Sequence, residues 1–173
     1  MRERLLGASQ DCRVSREAQG RESLSLVLRG VAGDTGRAMS QENVELTRQT
    51  WALWSEGADE EVARRLAPDV EWHHQIGIGT PAEGIYRGRE EVLQLSAMIR
   101  DSFGVIRVEI DDARDVSPTE VLTLGTLHLE GRGSGAAVTT PFGAVTDVLD
   151  GLAVRQRFWT DQSKALQAVG LCE

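Results

Sequence analysis

The stretch VIRVEIDDARDVSPTEVLTLGTLHLEGRGSGAAVTTPFGAVTDVLDGLAVRQRFWTD, residues 105–161, decides the fold. It opens by alternating, with Ile106, Val108 and Ile110 on one side and Arg107, Glu109 and Asp111 on the other. That period of two is the mark of a half-buried strand. Ser117-Pro118 turns the chain, residues 120–130 form a second strand, the glycine-rich GRGSG at 131–135 is a hairpin, and 136–149 runs back. Asp150-Gly151 is a two-residue hairpin signal, and a last strand follows over about 152–161. Strands joined by such short turns make an antiparallel meander.

Upstream of the meander the period changes. Ser40 can cap a helix in which Val44, Thr47, Trp51 and Trp54 recur at spacings of three and four, ending at Gly57. Asp59 opens a shorter helix through Val62, Ala63 and Leu66, and Pro68 stops it, because its ring lacks an N–H and blocks the preceding turn. DVEWHH at 69–74 returns to period two, with Val70, Trp72 and His74 on one face and Glu71 and His73 on the other. The two adjacent histidines therefore point apart. Gly77, Gly79, Pro81 and Gly84 mark a loop or irregular hairpin, and Arg89 to Ser102 carries Val92, Leu95, Met98 and Ile99 at helical spacing. A short helix around Lys164 to Val169 closes the chain. Helices early and an antiparallel meander late describe an α+β fold in which a curved sheet wraps a helix.

Length and composition bound the function. The 173 residues, 40% hydrophobic, suffice for one domain with a sizeable core. Nineteen basic against 27 acidic side chains leave a net charge of −8, and no Lys/Arg-rich run is present, so nucleic acid is not an expected partner. No apolar run approaches the roughly 18 residues of a membrane span, and a cytoplasmic protein is expected. Cys12 and Cys172 have no second thiol or histidine at ligand spacing, so neither a disulfide framework nor a metal site is expected. Residues 1–38 carry seven arginines, five acids and no aromatic side chain. They lack the material for a core and for a secretory signal, and read as a disordered tail or over-extended start before a domain at 39–173.

The segments MSQENVEL, WALWSEGADEEV, LAPDVEWH and GIYRGREEV, the Asp-Gly turn with its aromatic-Thr-Asp end, and the KALQAVGL tail resemble the SnoaL-like branch of the nuclear transport factor two-like superfamily. The resemblance covers 39–173 almost end to end. It implies a cone: a strongly bent sheet and three helices around a pocket, with homodimers forming through the outer sheet face. The family hosts polyketide cyclases, ketosteroid isomerases, dehydratases, epoxide hydrolases and members without known chemistry, so the site has to be argued by position.

His74 stands where, by the resemblance, ketosteroid-isomerase-like members carry the carboxylate that shuttles a proton beside a carbonyl. An imidazole can serve as that acid or base near neutral pH. The isomerases' oxyanion donors, a Tyr on the first helix and an acid on the penultimate strand, correspond to Thr50 and Ala144, which argues against isomerisation of steroids. No Asp-Arg-Asp set of inward positions is found for epoxide hydrolysis. His128 shares its parity with Thr126, Glu130 and Arg132, the solvent or dimer side, and Asp147 alternates away from Phe142, Ala144 and Thr146. Asp161 is read as the cap of the last helix, and Arg87 and Arg89 as surface residues at a loop-to-helix junction. A metal site of His73, His74, His128 and Glu71 is not expected, because His73 and His74 face opposite ways and cannot share an ion in a regular strand. Of eight aromatic residues, Trp51, Trp54, Trp72, Phe142 and Trp159 are the candidate wall of a pocket for a small, mostly apolar molecule. No cofactor is expected. The competing expectation is a non-catalytic dimerising or accessory domain whose pocket its own side chains fill.

Overall fold

The computed structural model describes residues 32–76 and 81–171. The elements are α1 (Ala32–Glu56), α2 (Asp59–Arg64), β1 (Leu66–Gln75), β2 (Gly84–Arg87), α3 (Gly88–Ser102), β3 (Phe103–Asp115), β4 (Glu120–Gly131), β5 (Ala137–Leu149), β6 (Leu152–Trp159) and α4 (Gln162–Ala168). The four meander strands, the Asp150-Gly151 turn and all four helices appear where the sequence pattern places them. At the turn both residues have positive φ, 51° and 73°, which is why Asp-Gly rather than a bulkier pair occupies it.

Two boundaries differ from expectation. The first helix does not start at Ser40, which is 6% exposed inside it, but runs back to Ala32. The boundary expected before Met39 falls within that helix, and the remainder of the expected tail, residues 1–31, lies outside the described residues, as do Cys12, Cys172, Gly77 and Gly79. The second helix ends at Arg64, and Leu66 already belongs to β1. Here tertiary pairing overrides the proline signal: the Ala153 N–H donates to the Arg65 carbonyl at 2.9 Å. Pro68 sits where the register of β1 against β6 shifts, between Leu66 and Glu71, a place where a missing N–H is tolerated. The segment read as a loop or irregular hairpin is a hairpin, its short second strand, β2, running antiparallel to β1 from His74↔Gly84 to Glu71↔Arg87.

The sheet has six strands in the order β2-β1-β6-β5-β4-β3. Neighbours are antiparallel except β1 and β6, which run parallel. The expected all-antiparallel sheet is thus corrected at one seam, because the chain's first and last long strands meet there. α1 and α3 lie on the inner face, over a core of Trp51, Leu66, Val70, Trp72, Leu95, Leu127, Phe142 and Phe158. α4 covers a smaller cluster on the outer face, Leu122, Val145, Trp159 and Ala165. Asp161 caps α4 by accepting from the Ser163 N–H at 3.0 Å, and the Ser163 hydroxyl, donating at 2.7 Å, together with this bond holds its carboxyl below the usual range.

Gly125 marks the tightest approach in the sheet. A Cβ there would lie 2.3 Å from the Glu109 carbonyl and 2.7 Å from the Phe142 ring. The missing side chain lets that ring lie across β4, opposite a register shift in β3 between Ile110 and Asp112. A glycine and a bulge side by side are a device that bends a sheet.

The outer face carries a chain of alternating charges. Arg87 pairs with Glu71 at 3.2 Å, Glu71 with Arg155 at 4.0 Å, Arg155 with Asp147 at 3.5 Å, Asp147 with Arg157 at 3.3 Å, and Arg157 with Glu120 at 3.0 Å. His73 joins it through Glu71 at 3.3 Å, and this hydrogen bond, with Arg87, keeps the Glu71 carboxyl below its ordinary value. Arg87 is exposed as expected, whereas Arg89 turns inward and donates to the Leu66 carbonyl from Nε at 2.8 Å, tying α3 to β1.

Candidate functional site

Between the inner sheet face and the helices lies a cavity of about 330 Å3. Its walls are Trp51 and Trp54 from α1, Trp72 and His74 from β1, Val92, Leu95 and Ile99 from α3, Leu127 and Leu129 from β4, and Phe158 from β6. Each follows from the pattern that formed its element: period two on β1 brings Trp72 and His74 to one side, and three-and-four spacing on α1 stacks Trp51 over Trp54. The two indoles meet edge to face at 5.9 Å, and Trp51 meets Trp72 in the same manner at 6.3 Å. Such contacts fix aromatic walls more firmly than aliphatic packing does.

His74 is 8% exposed and stacks on Phe158 at a centroid distance of 4.8 Å. Its Nδ1 lies 2.8 Å from the Ala82 carbonyl, which can only accept. The ring is therefore protonated at Nδ1 when neutral, and its Nε2 carries the lone pair. Tyr86 supports the same carbonyl by donating its hydroxyl at 3.1 Å. Burial pushes the His74 pKa below its ordinary 6.5, against the smaller raising effects of the Ala82 bond and the charge of Glu83. At neutral pH the ring is thus an uncharged base. Because the unfolded chain takes up this proton at the ordinary value and the folded one does so lower, stability is full above pH 6.5 and is lost as pH falls below it, through the folded value. Urea unfolding of the wild type between pH 7.5 and 5 should show this loss as an excess over His74→Asn, which has no imidazole to protonate. Parallel pH curves for the two proteins would remove the effect from His74.

A second polar group lies across the cavity, and the sequence reading did not assemble it. Asp59, at the start of α2, accepts from Arg100 Nε and from a terminal nitrogen of the same guanidinium, each at 2.9 Å. It also accepts from the Ser96 hydroxyl at 2.9 Å, and Ser96 in turn accepts from Trp54 Nε1 at 3.0 Å. Arg100 further donates to the Trp54 carbonyl and stands 5.6 Å from that ring's centre. These bonds tie α1, α2 and α3 together and spend the charge of Asp59 on Arg100. No spacing rule joins positions 54, 59, 96 and 100, so only the folded arrangement displays the group. Likewise the Ala82 carbonyl that orients His74 is a backbone atom, without any signature in side-chain pattern.

The other sequence candidates separate by position. Trp51, Trp54, Trp72 and His74 come together at the cavity. Phe142 lies beneath it, fully buried, 5.0 Å from the Trp51 ring centre and 5.6 Å from that of Phe158. Trp159 is corrected outright: strand parity turns it to the outer face, against Ala165, with its Nε1 donating to Gln75 at 2.9 Å. Thr50 gives its hydroxyl proton to the Leu46 carbonyl of its own helix at 2.7 Å, and Ala144 is buried, so neither donates to an oxyanion. His128 points outward, its Nε2 donating to Glu109 at 3.2 Å and its Nδ1 3.3 Å from the Thr139 hydroxyl. Among the described residues no group of three or more His, Cys, Asp or Glu side chains is placed to hold a metal ion, and no helix is long and apolar enough to cross a membrane.

Comparison with known proteins agrees with this architecture. The family model of the SnoaL-like domain matches residues 47–156. No curated protein matches the sequence. Among solved structures, an NTF2-like protein of unknown function from Burkholderia pseudomallei superposes with a TM-score of 0.61 at 21% identity, covering 75% of this chain and 98% of that one. TerC, co-crystallised with polyporic acid, gives 0.63 at 22% identity over 74% and 98%. An LEH-like epoxide hydrolase from M. tuberculosis gives 0.59 at 17% identity over 75% and 90%. At these identities the likeness is one of fold.

Proposed function

Since the chain belongs to the SnoaL-like domain family, we propose that it binds a small, mostly apolar, cyclic molecule in the conical cavity and moves a proton on it with His74. The observation that carries this reading is the cavity of about 330 Å3 reaching His74. It is the volume of a small-molecule site, and it weighs against a domain that fills its own interior. His74 Nε2 would take a proton from a carbon or hydroxyl next to a carbonyl and return it elsewhere, the chemistry of cofactor-free cyclases, isomerases and dehydratases. Glu83 is the acid whose charge reaches the ring. Thr50 and Ala144 speak against the steroid-isomerase variant, for want of an oxyanion donor. A homodimer through the outer sheet face belongs to the same proposal.

The test is a thermal-shift screen of the full chain against cyclic enones, aromatic polyketide-like compounds and lactones, run beside His74→Ala. A ligand at 100 times its Kd should stabilise the protein by about 2.7 kcal/mol, a rise of several degrees. Hits whose turnover vanishes in the variant would support the acid–base role, and hits without turnover would leave a carrier. If nothing binds and the substitution alters only the melting temperature, the accessory-domain reading takes over.

A further inference from the structure

Behind the cavity wall lies a second, much smaller chamber of about 10 Å3, lined among others by Thr47, Thr50, Trp72, Thr146 and Gln156. Two of these side chains are donors that find no acceptor among the described residues: Trp72 Nε1 and Gln156 Nε2. Trp72 is 9% exposed and Gln156 3%, so bulk solvent does not serve them, and an unpaired buried N–H is costly. The strand register explains why they meet. Trp72 of β1 stands opposite Gln156 of β6, and Gln156 opposite Thr146 of β5, so the three side chains form a row on the inner face.

The hydroxyls around them offer the complement. Thr47 donates to the Asn43 carbonyl at 2.9 Å, Thr50 to the Leu46 carbonyl at 2.7 Å, and Thr146 to Gln156 Oε1 at 3.4 Å. With their protons committed, these oxygens keep lone pairs that can accept. The chamber therefore presents two donors in want of an acceptor beside oxygens able to accept. An anion would satisfy the first and be repelled by the second, and no cationic side chain is among the described residues that line the space. An apolar group would leave both unsatisfied. One molecule of water accepts two hydrogen bonds and gives two, and about 10 Å3 is the room its centre requires.

The structure assigns this chamber to a single enclosed water, accepting from Trp72 Nε1 and Gln156 Nε2 and donating to the threonine oxygens. The assignment does not depend on what the larger cavity binds. It gives the water a mechanical part: it ties α1 to β1, β5 and β6 and sets the angle of the Trp72 indole, which is a wall of both spaces.

Two measurements on the full chain decide it. A crystal structure showing ordered solvent should place one peak within about 3.2 Å of both nitrogens. In NMR of the protein labelled with 15N at tryptophan, the Trp72 indole N–H should show a cross-peak to a long-lived water. Gln156→Leu should abolish both the peak and the cross-peak and shift the Trp72 indole resonance. If that variant does not fold, the wild-type spectrum and density decide alone. The assignment is overturned if the Gln156 amide is found reversed, accepting directly from Trp72 Nε1 and donating to Thr146, with no solvent between them. A Trp72 indole N–H that exchanges no magnetisation with water would overturn it equally.

Discussion

Replacing Phe142 by alanine should destabilise the protein by about 3–5 kcal/mol, the upper part of the range for core substitutions. The ring is fully buried and stands in contact with Trp51 and Phe158. What makes the site severe is its neighbour across the strand pair. Gly125 has no side chain to swing into the space, and its backbone is held against Glu109 of β3. The hole left by the ring therefore cannot collapse, and its lining loses contacts on one side. Urea denaturation of the full chain measures the loss, and the melting temperature should fall on the order of 10 °C. Phe142→Leu, which keeps most of the volume, should retain more than half of that stability. A loss below about 1 kcal/mol for Phe142→Ala, the size of an ordinary surface change, would mean that β4 and the indoles repack around the vacated space.

Substituting His74 by asparagine should lower turnover of any substrate found by the screen about 100- to 10,000-fold, the usual worth of a positioned general acid or base. Asparagine is the informative choice because its amide N–H can keep donating to the Ala82 carbonyl, as Nδ1 of the imidazole does at 2.8 Å. It removes the lone pair of Nε2 while leaving the local tie in place. The wild-type rate should fall on the acid side as the ring becomes protonated, at a pH below its ordinary value because burial favours the neutral form. That acid limb should be absent from the residual rate of the variant. A variant that keeps more than about a tenth of the wild-type rate with an unchanged pH profile would assign the proton transfer to another group.

How much of this was legible beforehand divides along the length scale of the interactions. Alternation on residues 69–74 already placed Trp72 and His74 on one face, and the α1 spacing already set Trp51 and Trp54 beside each other, because both patterns are local consequences of backbone period. Trp159 was misplaced for a related reason. It follows Phe158 directly, and only the pairing of β6 with β1 and β5 shows which of two adjacent rings faces inward. The strand start at Leu66 was missed because Pro68 is a strong local stop signal, overruled by a bond from Ala153, far away in sequence. The partners of His74 and the Asp59–Ser96–Arg100 group are long-range by nature, and no periodicity reports them.

The parallel seam between β1 and β6 has a consequence for how the chain is made. Within the meander each strand meets its partner as soon as the next hairpin closes, and β1 finds β2 as early, but the other edge of β1 must wait for residues 152–159. Loop closure over that distance is slow. Trp72 and Val70 are thus synthesised long before that edge is paired, so the nascent chain carries an adhesive apolar edge until β6 emerges. Deleting residues 152–159 would take out the strand that joins β1 to β5 and split the sheet in two.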